Sequence, residues 1–466
     1  MTLAVELRPV PDPLATCARF TGLPHLLWLD SSARGSLGRF SFLTADPVAV
    51  VQAPGTGDPL EAARTLLAPH RRAPLPGLPP FQGGIAGYFG YDWGAELERV
   101  RRAPGAGLDI PDVVLGLYDW VIAWDHLDGR AWIVSTGIRD AGSGMRDAWA
   151  RDRVAFVRAR LASHGRPSAP LPVRPSDVAS NFTRREFEAA VARIREYIAA
   201  GDVYQVNLAQ QFRGRYEGPP LELYRRVRAR NPAPFGAYLE LGTSDAAIAS
   251  ISPERFLRLE AETRLVEARP IKGTRPRGAT PTADAALARE LVASDKDRAE
   301  NVMIVDLLRN DLGKVCRTGS VRVAGLFTLE SHPTVHHLVS AVTGELGDGA
   351  DAFALVRAAF PGGSVTGAPK VRAMEIIAEL ERAPRGVYCG AIGYVSVTGA
   401  MDLNIPIRTM VLQDGDVRFH AGAGIVWDSV AAAEYDETLF KARALIDALT
   451  SPRKTSRRLG PVRRPA

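Results

Sequence analysis

Two acidic pairs carry the plainest chemical spacing in this sequence. Asp297 and Glu300 lie at i, i+3 in DRAENVMIVDLLRNDLG, and Glu434 and Glu437 repeat the interval in AAAEYDETLFKARALI. On a helix those positions share a face, so each pair presents two carboxylates side by side. Two such faces turned toward each other make an oxygen-rich site for Mg2+, a hard ion that takes a few carboxylates and keeps waters for substrate oxygens to replace. Taken alone, either pair also fits a solvated helix face. Three other features have chemical potential. PGGSVTGAPK (361–370) is a glycine-rich turn feeding a helix, with free N–H groups that suit an anion. It departs from a phosphate loop because Ala368 and Pro369 separate the last glycine from Lys370, and a structural turn fits it equally. HAGAGIV (420–426) allows close backbone approach at Gly422 and Gly424, and Arg408 on a nearby strand suits a carboxylate in bidentate fashion. Finally, only six of the 58 basic residues are lysines (272, 296, 314, 370, 441 and 454). A lysine can lose its proton and become a nucleophile where an arginine cannot, though drift in codon usage would give the same count.

Periodicity names the elements that must position these groups. Thr183 and Glu186 make a capping box, and Phe187, Ala190, Val191, Ile194 and Ile198 form an apolar stripe that Gly201 closes, which predicts a helix. VYQVNLAQQF reads as a strand with Tyr204, Val206 and Leu208 on one face and Gln205 and Asn207 on the other. Two amides on one face indicate a polar pocket or a solvated sheet surface. Helices are expected over DRAENVMIVDLLRNDLG and KVRAMEIIAELE, with Pro369 at the first helical position of the second. Val387 to Ile425 reads as a β-meander turning near Gly399-Ala400 and Asp414-Gly415, with Pro406 marking an edge or bulge just before Arg408. VVLGLYDWVIAWDHLDGRAWIV reads as two strands around Asp128-Gly129. Grouped antiparallel strands with helices indicate an α+β fold rather than a doubly wound parallel sheet.

Composition bounds the function classes. A chain of 466 residues, 46% hydrophobic and 24% charged, can bury a core without staples. An N-terminal region is expected over 1–163, a Pro/Ser-rich linker over 164–180, a catalytic domain over 181–450, and a basic, disordered tail over 451–466. Arg453, Lys454, Arg457, Arg458, Arg463 and Arg464 in that tail equal the whole formal excess of +6, so the folded body is near neutral and no nucleic-acid partner is expected. Cys17, Cys316 and Cys389 are far apart with no CxxC pair, which argues against a disulfide framework or zinc site and suits a reducing cytoplasm. MTLAVELRPVPDP has no apolar run of signal-peptide type. The uncharged stretch from about Gly386 to Met401 is broken by glycines, Ser396 and Thr398 and reads as strands rather than a membrane span.

The ordered run SPERF (252–256), PIKGTRPRG (270–278), DRAEN (297–301), HHLVS (336–340), FPGGSVTGAPKVRAMEII (360–377), GYVSVTGAMDLNIPIRT (393–409) and AGAGIVWDSV…EYDET (421–438) resembles the chorismate-utilising enzymes. These include anthranilate, isochorismate, salicylate and aminodeoxychorismate synthases. The resemblance is dense from about 180 to 445 and reaches the first region through GRFSFLTADP (38–47) and PFQGGIAGYFGYDWG (80–94). It implies two antiparallel β-sheets packed together with helices outside, the N-terminal part being woven in. Isochorismate-type members carry a lysine base where this chain has Gln205, which argues against water as the nucleophile. PIKGT, against the PIAGT of anthranilate synthases, is similar to the aminodeoxychorismate synthases, with anthranilate synthase component I as the alternative.

Carried over residue by residue, the resemblance implies that Glu300 and Glu437 bind Mg2+ directly while Asp297 and Glu434 act through waters. Arg408, Tyr394 and the amides around Gly422 and Gly424 would hold the enolpyruvyl carboxylate. Gln205, Thr274, His337 and Ser364 would line the ring site. Glu254 would protonate the departing C4 hydroxyl, and Lys272 would attack C2 to form a covalent adduct that ammonia resolves at C4. That amine must be neutral near pH 7, roughly three units below its free value. TCAR, VCRT and YCGA do not look like a glutaminase nucleophile, so chorismate and ammonia are the expected substrates and a separate glutamine amidotransferase subunit the expected source of ammonia. LWLDSS (27–32) lies where anthranilate synthases carry a tryptophan-binding LLES motif, and its departure from that motif implies a structural pocket instead.

Overall fold

A computed structural model describes residues 2–55, 57–105, 107–138, 145–163, 177–242, 246–331 and 335–450. The expected tail over 451–466 and most of the expected linker lie outside the described residues. Among the described residues the chain forms two antiparallel sheets, of 12 and 10 strands, with helices packed on them. The expected α+β architecture is the one observed. No described helix is long and apolar enough to cross a membrane.

Each sheet is assembled from both parts of the chain. In the larger, the early strands Leu3–Glu6, Arg130–Ser135, Trp120–Asp125, Phe40–Thr44 and Leu27–Asp30 are followed in space by Phe235–Glu240, Ala247–Ser252, Thr409–Gln413, Asp416–Ile425 and Gln205–Arg215. The seam is the pairing of Leu27–Asp30 with Phe235–Glu240, Trp28 opposite Tyr238. In the smaller, Gly84–Phe89 pairs with Ala391–Ser396. The last two residues of the expected linker also join the larger sheet, where Ala179–Ser180 pairs with Gln205–Arg215.

Local signals place the helices. Thr183 caps Arg184–Ala199 in a complete capping box with Glu186, and Phe187, Val191 and Ile194 are fully buried in the main core with Ile304 and Leu308 of helix Asp295–Gly313. Gly201 takes a φ of 83°, the left-handed conformation that ends a helix cheaply. Pro369 sits one position earlier than expected, as the N-cap of Lys370–Leu380.

Three sheet readings are corrected by long-range pairing. The expected hairpin about Asp128-Gly129 forms from Trp120–Asp125 and Arg130–Ser135, but the run 113–125 is itself two strands, parted at Asp119, which makes an ion pair with Arg153 at 3.0 Å. Val113–Tyr118 joins the smaller sheet and Trp120–Asp125 the larger. The expected meander is likewise divided: Ala391–Ser396 and Met401–Asn404 belong to the smaller sheet, Thr409–Gln413 and Asp416–Ile425 to the larger. Tyr204 stands just before its strand and is 72% exposed, whereas Val206 and Leu208 are buried.

Candidate active site

Two of the places where the chain passes between the sheets lie side by side, and one of them carries the acid Glu254. Pro253 and Glu254 link Ala247–Ser252 of the larger sheet to Arg255–Leu259 of the smaller, and 405–408 returns from the smaller to the larger. Ile405 N–H donates to the Glu254 carbonyl at 3.1 Å, which ties the two crossings together.

Lys272 lies on Ile271–Pro276, the terminal strand of the smaller sheet. Its register against Val335–Glu345 shifts between Ile271 and Thr274, and Gly273 has a φ of 83°, so Lys272 rides on a bulge. Bulges re-aim side chains, and this one sends the amine inward. Lys272 Nζ donates to the Ser364 carbonyl at 3.0 Å, and Ser364 Oγ donates to Glu254 Oε1 at 2.7 Å. One buried turn, Gly363–Val365, therefore holds the amine and the acid together. Burial lowers the affinity of Lys272 for its proton and outweighs the attraction of Glu300, Glu254 and Glu437. Burial also raises the Glu254 carboxyl above its free value, against the Ser364 hydrogen bond and Lys272. The pair thus leans toward neutral amine and neutral acid.

Helices Asp295–Gly313 and Ala431–Thr450 bring the two acidic pairs to the same place. Lys296 Nζ lies 3.3 Å from Glu434 and 3.9 Å from Glu300, so one cation already reaches both helices. Glu434 also accepts from Ser429 Oγ at 2.7 Å. The other two acids are engaged separately: Asp297 with Arg275 at 3.2 Å, Glu437 with Lys441 at 2.7 Å. Lys296 bridges Glu300 and Glu434, and Glu437, expected with Glu300 as a direct ligand, faces the same lysines, Lys296 and Lys272. Burial raises the Glu300 carboxyl, with Asp297 and Glu434 adding to the rise, while Lys441, Lys296 and Lys272 hold Glu437 below its free value against burial. Among the described residues no group of three or more His, Cys, Asp or Glu side chains is arranged to hold a metal ion. The donors are nevertheless of the kind a hard divalent cation takes, and the ammonium of Lys296 lies between the two helices.

The glycine strand closes one side. A Cβ added to Gly424 would collide with Gln205 Nε2 and lie 3.7 Å from Glu300, and one added to Gly422 would lie 2.7 Å from Asn207 Oδ1. Gln205 Nε2 and Oε1 and Asn207 Oδ1 are buried without a hydrogen-bond partner in the structure. Unmatched buried amides are costly, so these atoms are suited to hydrogen-bond a water, an ion or a polar ligand. Thr274 Oγ1 and His337 Nδ1 are 2.9 Å apart on neighbouring strands. Arg408 has a φ of 52° and precedes its expected strand. Burial alone lowers its pKa, and no described side chain pairs with it.

Tyr394 is not brought to this cluster. It stacks on Phe81 at 4.6 Å and meets Phe42 edge-on, because its alternation in Ala391–Ser396 turns it into the other core. There it lines a cavity of about 1020 Å³ with Ser31, Ser32, Arg255 and Arg258. Within LWLDSS, Trp28 is fully buried and Asp30 binds Tyr224 Oη at 2.9 Å and Arg228. Lys296 and Lys441 were given no role from sequence; their i, i+4 spacing to Glu300 and from Glu437 was the available signal.

A family model described as chorismate binding enzyme matches residues 25–447. Aminodeoxychorismate synthase component 1 of Salmonella typhimurium is 42% identical over 451 residues, covering 92% of this chain and 95% of the relative. Anthranilate synthase component 1 of Streptomyces coelicolor is 44% identical over 423 residues, covering 89% and 81%. The crystal structure of anthranilate synthase component I from Streptococcus pneumoniae matches with a TM-score of 0.78 at 32% identity, covering 89% of this chain and 93% of that one.

Proposed function

This chain belongs to the chorismate binding enzyme family, and on that footing we propose that it converts chorismate and ammonia to 4-amino-4-deoxychorismate and water. Relatives of two activities are about equally similar, so identity does not choose between them. The observation that carries the choice is Lys272: a buried amine with a weakened hold on its proton, joined through Ser364 to a buried acid.

Lys272 Nζ attacks C2 of the ring as the double bond shifts and the C4–O bond breaks. Glu254 gives its proton to the departing hydroxyl, which leaves as water, and takes back the proton that the new C2–N bond releases. Ammonia then adds at C4, the double bonds shift back, and the C2–N electron pair returns to Nζ together with the proton that Glu254 holds, so Lys272 leaves as a neutral amine and ammonia's surplus proton passes to the Glu254 carboxylate. Two allylic displacements place nitrogen at C4. Gln205 and Arg408 bind and orient the substrate, Arg408 supplying a guanidinium for a carboxylate. Glu300, Glu434, Glu437 and Asp297 are the residues that would hold Mg2+, which when bound supplies positive charge for the ring carboxylate. The relatives' component 1 names support a second subunit, and the reaction's need for ammonia makes a glutamine amidotransferase the partner of this reading.

The test uses the purified chain with chorismate, Mg2+ and ammonium, products being identified by mass. An amino product that retains the enolpyruvyl group is expected; anthranilate with released pyruvate would instead establish the second reading, which the Streptomyces and Streptococcus similarities favour. Without ammonium the protein should gain the mass of chorismate less water, and Lys272→Ala should abolish the gain. Equal turnover by wild type and Lys272→Ala rules out the covalent route.

A further inference from the structure

Lys296 has a position that the proposed reaction does not use. It lies in the first turn of Asp295–Gly313, and among the described lysines it alone pairs with carboxylates of both site helices. Lys441 is tied within its own helix to Glu437 and to the Gly422 carbonyl at 3.0 Å, and Lys272 is tied to Ser364. A divalent ion held by Glu300 and Glu434 would need oxygens at about 2.0–2.1 Å, on the ground that the Lys296 ammonium now holds at 3.3 and 3.9 Å. Two cations cannot share it without strong repulsion. Glu434 is anchored by Ser429, so the carboxylate stays when the lysine leaves. The Lys296 side chain is 47% exposed and can swing to solvent, but Glu434 and Glu300 are only 5% and 14% exposed, so their buried charges need another cation in its place.

From this geometry we infer that Lys296 is a tethered counter-cation, bridging the two carboxylate-bearing helices in the unliganded enzyme and displaced when a divalent cation binds. The inference rests on the metal reading above. It explains how two helices lined with acids stay packed without a metal, and it makes metal affinity a competition set by the chain itself.

Mn2+ alone is the probe, its free concentration followed by electron paramagnetic resonance at fixed ionic strength in the intact chain without substrate. Lys296→Met should bind Mn2+ about tenfold more tightly than wild type, which is about 1.4 kcal/mol, and Glu300→Gln should bind it much more weakly. Lys296→Gln gives a second neutral variant, and circular dichroism checks that each is folded. If both neutral variants bind no more tightly than wild type while Glu300→Gln still weakens binding, the competition is refuted and the metal reading stands. If no saturable binding occurs, or if Glu300→Gln leaves it unchanged, the metal reading fails and the inference with it.

Discussion

Lys272 is kept in a state that most lysines avoid. Desolvation of its ammonium exceeds the attraction of the surrounding carboxylates, so the folded chain releases the proton at a lower pH than the unfolded chain, whose value is near 10.5. Between those two values the unfolded state binds more protons, and stability rises with pH. Below the folded value the full penalty is present; above 10.5 it has vanished. A neutral replacement removes a cost that the chemistry requires. Lys272→Met should therefore stabilise the protein at pH 7 by about 1–2 kcal/mol while destroying activity, and the gain should shrink as the pH approaches 10.5. Urea unfolding at pH 7 and near pH 10 measures both. A destabilised variant would mean that the lysine is an ordinary ion-pair partner, and a gain independent of pH would mean that no buried ammonium was being relieved. The scarcity of lysine marked this residue in the sequence; its burial, which makes it reactive, came only from a bulge and a distant serine.

Strand Asp416–Ile425 carries two glycines because its neighbour, Gln205–Arg215, turns amides toward them. Asn207 pairs with Gly424 and Ala209 with Gly422, so each glycine faces an amide from an adjacent rung. Gly424→Ala pushes a methyl against Gln205 Nε2 and toward Glu300. It should cost about 1–3 kcal/mol of stability, as overpacking does, and lower kcat/KM at least tenfold, chiefly through KM. A variant with wild-type KM would show that the glycine strand does not face the substrate. At this scale the sequence was legible wherever the signal was local. Alternation put Gln205 and Asn207 together, and the capping box fixed the start of Arg184–Ala199. Tyr394 was placed at the site by the resemblance alone, and alternation could not correct it, because it tells that a residue changes face, not which core that face meets. The same limit hid the division of 387–425 between sheets, since partner strands lie hundreds of residues away in sequence: Ile392 pairs with Tyr88 and Ala249 with Met410.

The composition of the chain places a boundary near 163–181, yet the sheets cross it. Leu27–Asp30 lies against Phe235–Glu240, and Gly84–Phe89 lies between Val113–Tyr118 and Ala391–Ser396. Cutting there leaves each part with two raw sheet edges and with apolar residues such as Ile85 and Phe89 separated from Phe360, Val395 and Leu403 of their shared core. Unpaired edges and open cores favour aggregation over folding. The segment 181–450 holds every residue assigned to the site, so a modular view expects it to bind chorismate by itself. The woven sheets require the opposite. Expressed alone, that segment should lack a cooperative urea transition, bind a hydrophobic dye, and turn over no chorismate; the intact chain should unfold as one unit with site and N-terminal probes coinciding. Co-expression with 1–163 should recover activity, because the missing strands can still pair from a separate chain. Should 181–450 unfold cooperatively and react with chorismate unaided, the N-terminal strands are a covering rather than part of the frame. The crossing beside Glu254 would then owe its geometry to the second half alone.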